Sequence, residues 1–262
     1  MRICIKVGTS TLTHPSGNLN IRQVERLCKV LSDLKNAGNE LLLVSSGAIG
    51  MGVGKLGLGA RPEDMPTKQA AAAVGQCELM YIYDKLFGEF GHNVAQVLLN
   101  VSDVEDPHRS SNLRTTLRRL LELGVLPVIN ENDAVSTDEI GVHTTIGEND
   151  TLSAIVAGLV GADLLVLLSD IAGLYTADPH QDPDARRIDV VEELTPEIFA
   201  LAGGKGSALA SGGMATKLSA ARIATESGCD MIIANGKYPD TLYAILDGTA
   251  VGTLFKKKEA EA

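Results

Sequence analysis

Short runs of aliphatic residues recur along this chain, and almost every one ends in a polar or glycine-containing cluster. Arg2–Val7, Leu41–Val44, Val94–Leu99, Val125–Ile129, Leu164–Leu168 and Met231–Ala234 are four to six residues long. Runs that short and that continuously apolar read as strands buried on both faces. A last strand is read at Thr253–Phe255. Helical patterns separate them. Ile21, Val24, Leu27, Leu31 and Leu34 recur at helical spacing, with Asn20 as N-cap and Gly38 as stop. Further helices are read at Thr67–Phe90, at Leu113–Leu123, from Asp150 or Thr151 to Gly161, and at Met214–Ser227. This alternation implies an α/β chain whose central, mostly parallel sheet is covered by helices on both faces. In such folds ligands bind at the carboxyl ends of strands, where the polar clusters stand.

Composition agrees. Aromatic residues make up only 3% of the 262 positions and Trp is absent, so the core is built from Ala, Val, Leu and Ile. Small aliphatics suit helices packed closely on a parallel sheet. The net charge of −10 argues against a nucleic-acid or anionic-membrane surface, and it makes individual loop lysines informative. Cys4, Cys28, Cys77 and Cys229 form no C-x-x-C and have no His at ligand spacing. They read as small core residues of a reducing compartment, with neither disulfide nor metal. With no signal-peptide pattern and no apolar run of about 20 residues, a soluble cytoplasmic protein is expected. Leu56–Pro66 and Thr176–Ile188 look like linkers, Ala134–Gly147 like a hairpin or flap, and the tail from Lys256 like a solvated end.

The most telling cluster is Ser211-Gly212-Gly213-Met214-Ala215-Thr216-Lys217. Its glycines free the backbone to approach a ligand, and Thr216 and Lys217 stand where a helix start presents unpaired N–H groups. That is an anion site, yet the Walker A spacing occurs nowhere in the chain. Lys6, at the end of the first strand, offers a second cation in the other half of the sequence. Ser45-Ser46-Gly47 lacks the G-x-S-x-G elbow and reads as donors to a carboxylate or phosphate rather than as a nucleophile. Gly52-Val53-Gly54-Lys55-Leu56-Gly57 matches G-x-G-x-x-G but stands eight residues past the strand end at Val44. A dinucleotide fingerprint belongs at the strand-to-helix turn, so these glycines are expected to form a mobile loop.

Asn130-Glu131-Asn132-Asp133 and Glu148-Asn149-Asp150 flank the flap. Asn and Asp favour turns and caps, but two such clusters around one flap also suit a polar, partly cationic ligand. Asp133 could receive an ammonium group while the amides hold a carboxylate. Ser169-Asp170 and Gly173-Leu174-Tyr175-Thr176-Ala177-Asp178-Pro179 follow the strand Leu164–Leu168 and can line a nucleotide pocket.

Together these residues resemble the amino acid kinase family from Lys6 to Phe255. The run from Asp170 to Pro179 resembles the nucleotide-side signature shared by many members. Lys6-Val7-Gly8-Thr9-Ser10, Val44 to Ile49, Asn130 to Asp133, Ser211 to Lys217 and Gly252-Thr253-Leu254-Phe255 are more specific. The resemblance implies a three-layer sandwich of the carbamate-kinase-like type. It forms a single kinase domain over 1–262, with an amino-acid lobe at about 1–150 and a nucleotide lobe at about 151–262. It implies ATP-dependent phosphorylation of the γ-carboxylate of L-glutamate, the first step towards proline, with Mg²⁺ carried by the nucleotide phosphates.

By the same resemblance Lys6, Lys217 and Asp150 are catalytic. Ser46, Gly47, Asn130, Asp133 and Asn149 bind the amino acid. Lys6, Ser169, Asp170, Tyr175 and Ser211 to Lys217 bind ATP, and the loop from Gly203 to Ser207 closes over it. Asp133 favours glutamate over N-acetylglutamate, which lacks the α-ammonium and would leave a buried Asp unpaired. Sibling activities on N-acetylglutamate, aspartate, carbamate or a phosphomonoester stand as alternatives, as does a non-catalytic sensor of amino acid and nucleotide. The family also implies a homodimer or homotetramer, feedback by L-proline and a downstream glutamyl phosphate reductase. Two departures bear on affinity and feedback: a flap lengthened by Val142-His143-Thr144-Thr145, and Glu148 where Asp is frequent. The chain is expected to lack the PUA domain that many members carry.

Overall fold

The computed structural model describes residues 1–14, 18–135, 149–179, 181–203 and 213–258. In chain order its first elements are β1 (Arg2–Val7), α1 (Thr9–Leu12), α2 (Ile21–Asn36), β2 (Glu40–Ser45) and α3 (Ala48–Leu56). There follow α4 (Met65–Gly88), β3 (Val94–Leu99), α5 (Val101–Glu105), α6 (Pro107–Glu122) and β4 (Leu126–Glu131). The remainder comprises α7 (Asn149–Val160), β5 (Leu164–Ser169), β6 (Val190–Val191), α8 (Pro196–Gly203) and α9 (Gly213–Glu226). It ends with β7 (Asp230–Asn235), α10 (Thr241–Leu246) and β8 (Thr253–Phe255). The chain forms two compact units, one of Val7–Asn149 and one of Met1–Lys6 with Asp150–Ala262.

In the unit Val7–Asn149 the strand order is β3-β4-β2, and both pairings are parallel. Leu41, Leu42, Leu43 and Val44 are fully buried along β2, as a strand covered on both faces requires. Asn20 caps α2 by accepting from the N–H of Gln23, and Asp64 caps α4 by accepting from Thr67. α6 begins at Pro107, well before Leu113. The carboxylate of Asp106 accepts from the Arg109 N–H, and Pro107 sits at the first helical position, where its missing N–H costs nothing.

The run Gly52–Gly57 corrects the expectation of a mobile loop. Ala48–Leu56 is a helix, and Gly57 ends it in the left-handed region at φ +66°. Its glycines serve packing. A Cβ on Gly52 would lie 1.8 Å from the carbonyl oxygen of Ala71, and one on Gly75 only 1.7 Å from that of Ala48. α3 and α4 thus touch backbone to backbone, a closeness that outweighs glycine's poor helix propensity.

The other unit carries strands in the order β1-β5-β7-β8-β6. β5 pairs with β7 in parallel from Leu164–Asp230 to Ser169–Asn235, β8 runs antiparallel to β7, and β6 is parallel to β8. The N–H of Arg2 donates to the Asp163 carboxylate at 2.7 Å and the N–H of Asp163 to the Arg2 carbonyl at 2.8 Å. These bonds group the start of β1 with the C-terminal part of the chain. Leu165, Val166, Leu167 and Leu168 form the buried centre of β5.

Candidate active site

Lys6, Asp150 and Lys217 meet inside one unit. Lys6 is the last residue of β1 in that unit, Asp150 stands in the first turn of α7, and Lys217 in the second turn of α9. The sequence places the two lysines in opposite halves of the chain. The fold unites them because β1 groups with the C-terminal strands.

Lys6 Nζ forms an ion pair with Asp150 Oδ1 at 2.6 Å, and Lys217 Nζ donates to Asp150 Oδ2 at 3.0 Å. Lys217 also donates to the Gly213 carbonyl at 3.1 Å, which steadies its side chain along α9. The carboxylate of Asp150 is 4% exposed and the lysine side chains 13% and 12%. Burial alone would raise the Asp150 carboxyl above its ordinary value. Attraction to Lys6 and Lys217, with the hydrogen bonds they donate, outweighs it and holds the group below. The Asp150 carboxylate therefore stays ionised at neutral pH, one acidic group set against two basic side chains.

The described residues expected on the nucleotide side belong to the same unit. Ser169, at the end of β5, donates through Oγ to Asp170 Oδ1 at 2.9 Å, and Asp170 is exposed. Tyr175 is half-buried and bridges to Arg187. Thr253 of the Gly252–Phe255 motif has a structural task. Its Oγ1 accepts from the Leu174 N–H at 2.8 Å and donates to the Ile188 carbonyl at 2.6 Å, fastening this loop to β8. At the start of α9, Gly213 and Ala215 are exposed, Met214 is buried, and Thr216 donates to the Gly213 carbonyl at 3.0 Å. Ser211, Gly212, Glu148, the Val142–Thr145 insertion and residues 204–207 of the Gly203–Ser207 loop lie outside the described residues.

Ser46, Asn130 and Asn149, expected on the amino-acid side, meet in the unit Val7–Asn149. Asn149 Nδ2 donates to Ser46 Oγ at 2.8 Å and to Asn130 Oδ1 at 3.0 Å. Asn130 is 1% exposed, and its Nδ2 donates to Gln76 Oε1 at 2.9 Å. Gly47 holds the cap of α3 at φ +107°, which favours glycine. Ser45, by contrast, is spent on the core, its hydroxyl 2.8 Å from the buried Tyr83 hydroxyl.

A cavity of about 380 Å³ opens in this unit between α4, β3 and the end of β4. Ala48, Ala72, Gln76, Cys77, Gln96, Glu131 and Asp133 are among its lining. Burial, reinforced by the negative charge of Asp133, pushes the Glu131 carboxyl up to about 7. Burial also raises Asp133, against the pull of Arg61. Two carboxyls of raised pKa in one cavity favour a cationic group there. The cavity brings Asp133 together with Glu131 and Gln76, two residues to which the sequence alone assigns no role. The sign of Gln76 is a lone polar side chain on the buried face that carries Ala72, Leu79 and Tyr83 at helical spacing.

Among the described residues no cluster of His, Cys, Asp or Glu could hold a metal ion, and no helix is long and apolar enough to cross a membrane.

A parallel α/β scaffold that fixes excess positive charge on a buried carboxylate defines an anion-handling α/β protein. Residues 1–235 match the model of the amino acid kinase family, and the chain belongs to that family. The glutamate 5-kinase of Clostridium perfringens is 53% identical over 260 residues, which span 99% of this chain and 97% of that protein. The glutamate 5-kinase of Moorella thermoacetica is 53% identical over 261 residues, 100% of this chain and 68% of that protein. Among solved structures, carbamate kinase from Giardia lamblia bound to AMP-PNP superposes with a TM-score of 0.70 at 17% identity, covering 98% of each chain. That likeness shows the fold, the family's α/β sandwich with a mostly parallel sheet.

Proposed function

We propose that this chain phosphorylates the γ-carboxylate of L-glutamate with ATP, giving L-glutamyl 5-phosphate, the first step towards proline. Its family and its glutamate 5-kinase relatives support the activity. The observation that carries the mechanism is the clasp of Asp150 by Lys6 and Lys217. A carboxylate nucleophile is ionised at neutral pH, so the chain need supply no general base. What it supplies is alignment and positive charge on the transferring phosphoryl group. In this reading Lys6 faces the nucleophile side, Lys217 offsets charge towards the leaving group, and Asp150 holds both ammonium groups in place.

With both oxygens of Asp150 taken by lysines and no carboxylate cluster among the described residues, a metal ion fits best on the nucleotide phosphates. Mg²⁺ bound there supplies charge neutralisation. Ser169, Asp170, Tyr175 and the start of α9 receive the nucleotide. Ser46, Gly47, Asn130 and Asn149 hold glutamate, and Asp133 receives its α-ammonium. The reading extends to proline as a competitor at the amino-acid site, to hand-over of the labile acyl phosphate to a reductase, and to a cytoplasmic homodimer or homotetramer. The lobes follow the two units, amino acid on Val7–Asn149 and nucleotide on the other.

The test is incubation with Mg-ATP, glutamate and hydroxylamine, reading hydroxamate and ADP. Glutamate-dependent formation of both is expected. No such product, or faster turnover of N-acetylglutamate, overturns the assignment.

A further inference from the structure

The amide chain Gln76–Asn130–Asn149 has an orientation that does not depend on choosing amide flips. The backbone N–H of Glu131 can only donate, and it donates to Asn130 Oδ1 at 2.9 Å. Asn130 must therefore turn Nδ2 towards Gln76, so Gln76 must answer with Oε1. Asn149, which faces Asn130 Oδ1, must likewise present Nδ2, shared with Ser46 Oγ. One backbone donor thus sets three side-chain amides.

The consequence falls at the ends of the chain. Gln76 Nε2 and Asn149 Oδ1 are buried and have no hydrogen-bond partner among the described residues. Leaving a buried donor unpaired is costly, and native proteins rarely do so without a purpose. Gln76 is 7% exposed and lines the cavity that holds Glu131 and Asp133. The unpartnered Nε2 thus sits on a residue in the wall of a cavity whose carboxyls suit a cation. A ligand carrying both an ammonium and a carboxylate satisfies the two demands together.

We infer that Gln76 is a substrate-binding and specificity-determining residue whose Nε2 donates to the α-carboxylate of the bound amino acid. Its Oε1 meanwhile locks Asn130 and Asn149 in register. The inference rests on the glutamate reading above, which assigns the γ-carboxylate to the reaction and leaves the α-carboxylate to be held.

Gln76→Glu tests it, because a glutamate keeps an acceptor for Asn130 but replaces the free donor with an anion. The measurement compares glutamate with isoglutamine, in which the α-carboxylate is an amide and the γ-carboxylate is free. The KM for glutamate should rise about ten- to hundredfold, the range of a hydrogen bond to a charged group. The kcat/KM preference for glutamate over isoglutamine should fall at least about tenfold while the KM for ATP holds. A residue that only supported the fold would depress both substrates alike, and an unchanged preference overturns the inference. If Gln76→Glu does not fold, Gln76→Met, uncharged and of similar length, gives the same readout: lost preference supports the inference and retained preference overturns it. Wild-type protein that makes no glutamyl hydroxamate overturns the function itself, a distinct result.

Discussion

The backbone contact between α3 and α4 makes a sharp prediction at Gly75. In Gly75→Ala the new Cβ would meet the Ala48 carbonyl oxygen at 1.7 Å, the Gly52 nitrogen at 2.4 Å and the Ala48 carbonyl carbon at 2.8 Å. Ordinary contact begins near 3.4 Å, so the first distance is only half of what contact requires. All three atoms are backbone, and no rotamer change relieves them. The helices must separate by more than an ångström, and overpacking of this kind costs about 3 kcal/mol or more. Alanine's better helix propensity returns about 1 kcal/mol, leaving a net loss of about 2 kcal/mol. Gly88, the last residue of the same helix, has nothing within 4 Å of a Cβ. Gly88→Ala should therefore be neutral or stabilising by a few tenths of a kcal/mol. Urea unfolding followed by far-UV circular dichroism compares the two. Gly75→Ala should move the midpoint down clearly and Gly88→Ala should not. If Gly75→Ala matches the wild type, the close approach of the helices is wrong.

Two further outcomes follow from the sites. Lys217→Ala should lower kcat about a hundredfold or more, while the KM for glutamate changes less than about threefold. Equal loss of glutamate affinity in a binding assay would refute its nucleotide-side role. Glu131 has a folded pKa of about 7, above the ordinary glutamate value, so between about 4.3 and 7 the folded state holds more protons than the unfolded one. Its contribution to stability is present at the acid end of that window and is lost as pH rises. Glu131→Gln should flatten the decline of the urea midpoint across that range, and identical slopes in both proteins would sink the argument.

Much of the scaffold was legible because strand cores here are continuous aliphatic runs. β1, β3 and β8 fall on the residues expected from the sequence, and Asn20 caps α2 through a local hydrogen bond that the spacing announces. α3 was not legible. Glycines that weaken an isolated helix signal a loop, and only the closeness of α4 reveals why they are tolerated. The site divides in the same way. Helix starts and strand ends marked Lys217, Asp150 and Asn130, whereas the pairing of Lys217 with Asp150, and separately of Asn130 with Gln76, depends on contacts between distant parts of the chain. Gln76 was hidden inside an alanine-rich helix, since a single polar residue announces its task only once its hydrogen-bond partners are known.

The four thiols of this chain fall into unequal environments. Burial drives Cys4 and Cys28 far above the usual thiol range and Cys229 up to about 12, so their sulfurs stay protonated and shielded. Cys77 is exposed and lines the cavity one residue beyond Gln76. A maleimide or fluorinated tag should therefore attach at one position without prior removal of the other cysteines. The native protein thus carries its own attachment point for an optical or ¹⁹F reporter in the wall of the cavity that holds Glu131 and Asp133. Occupancy of that cavity can be followed without turnover and without any substitution.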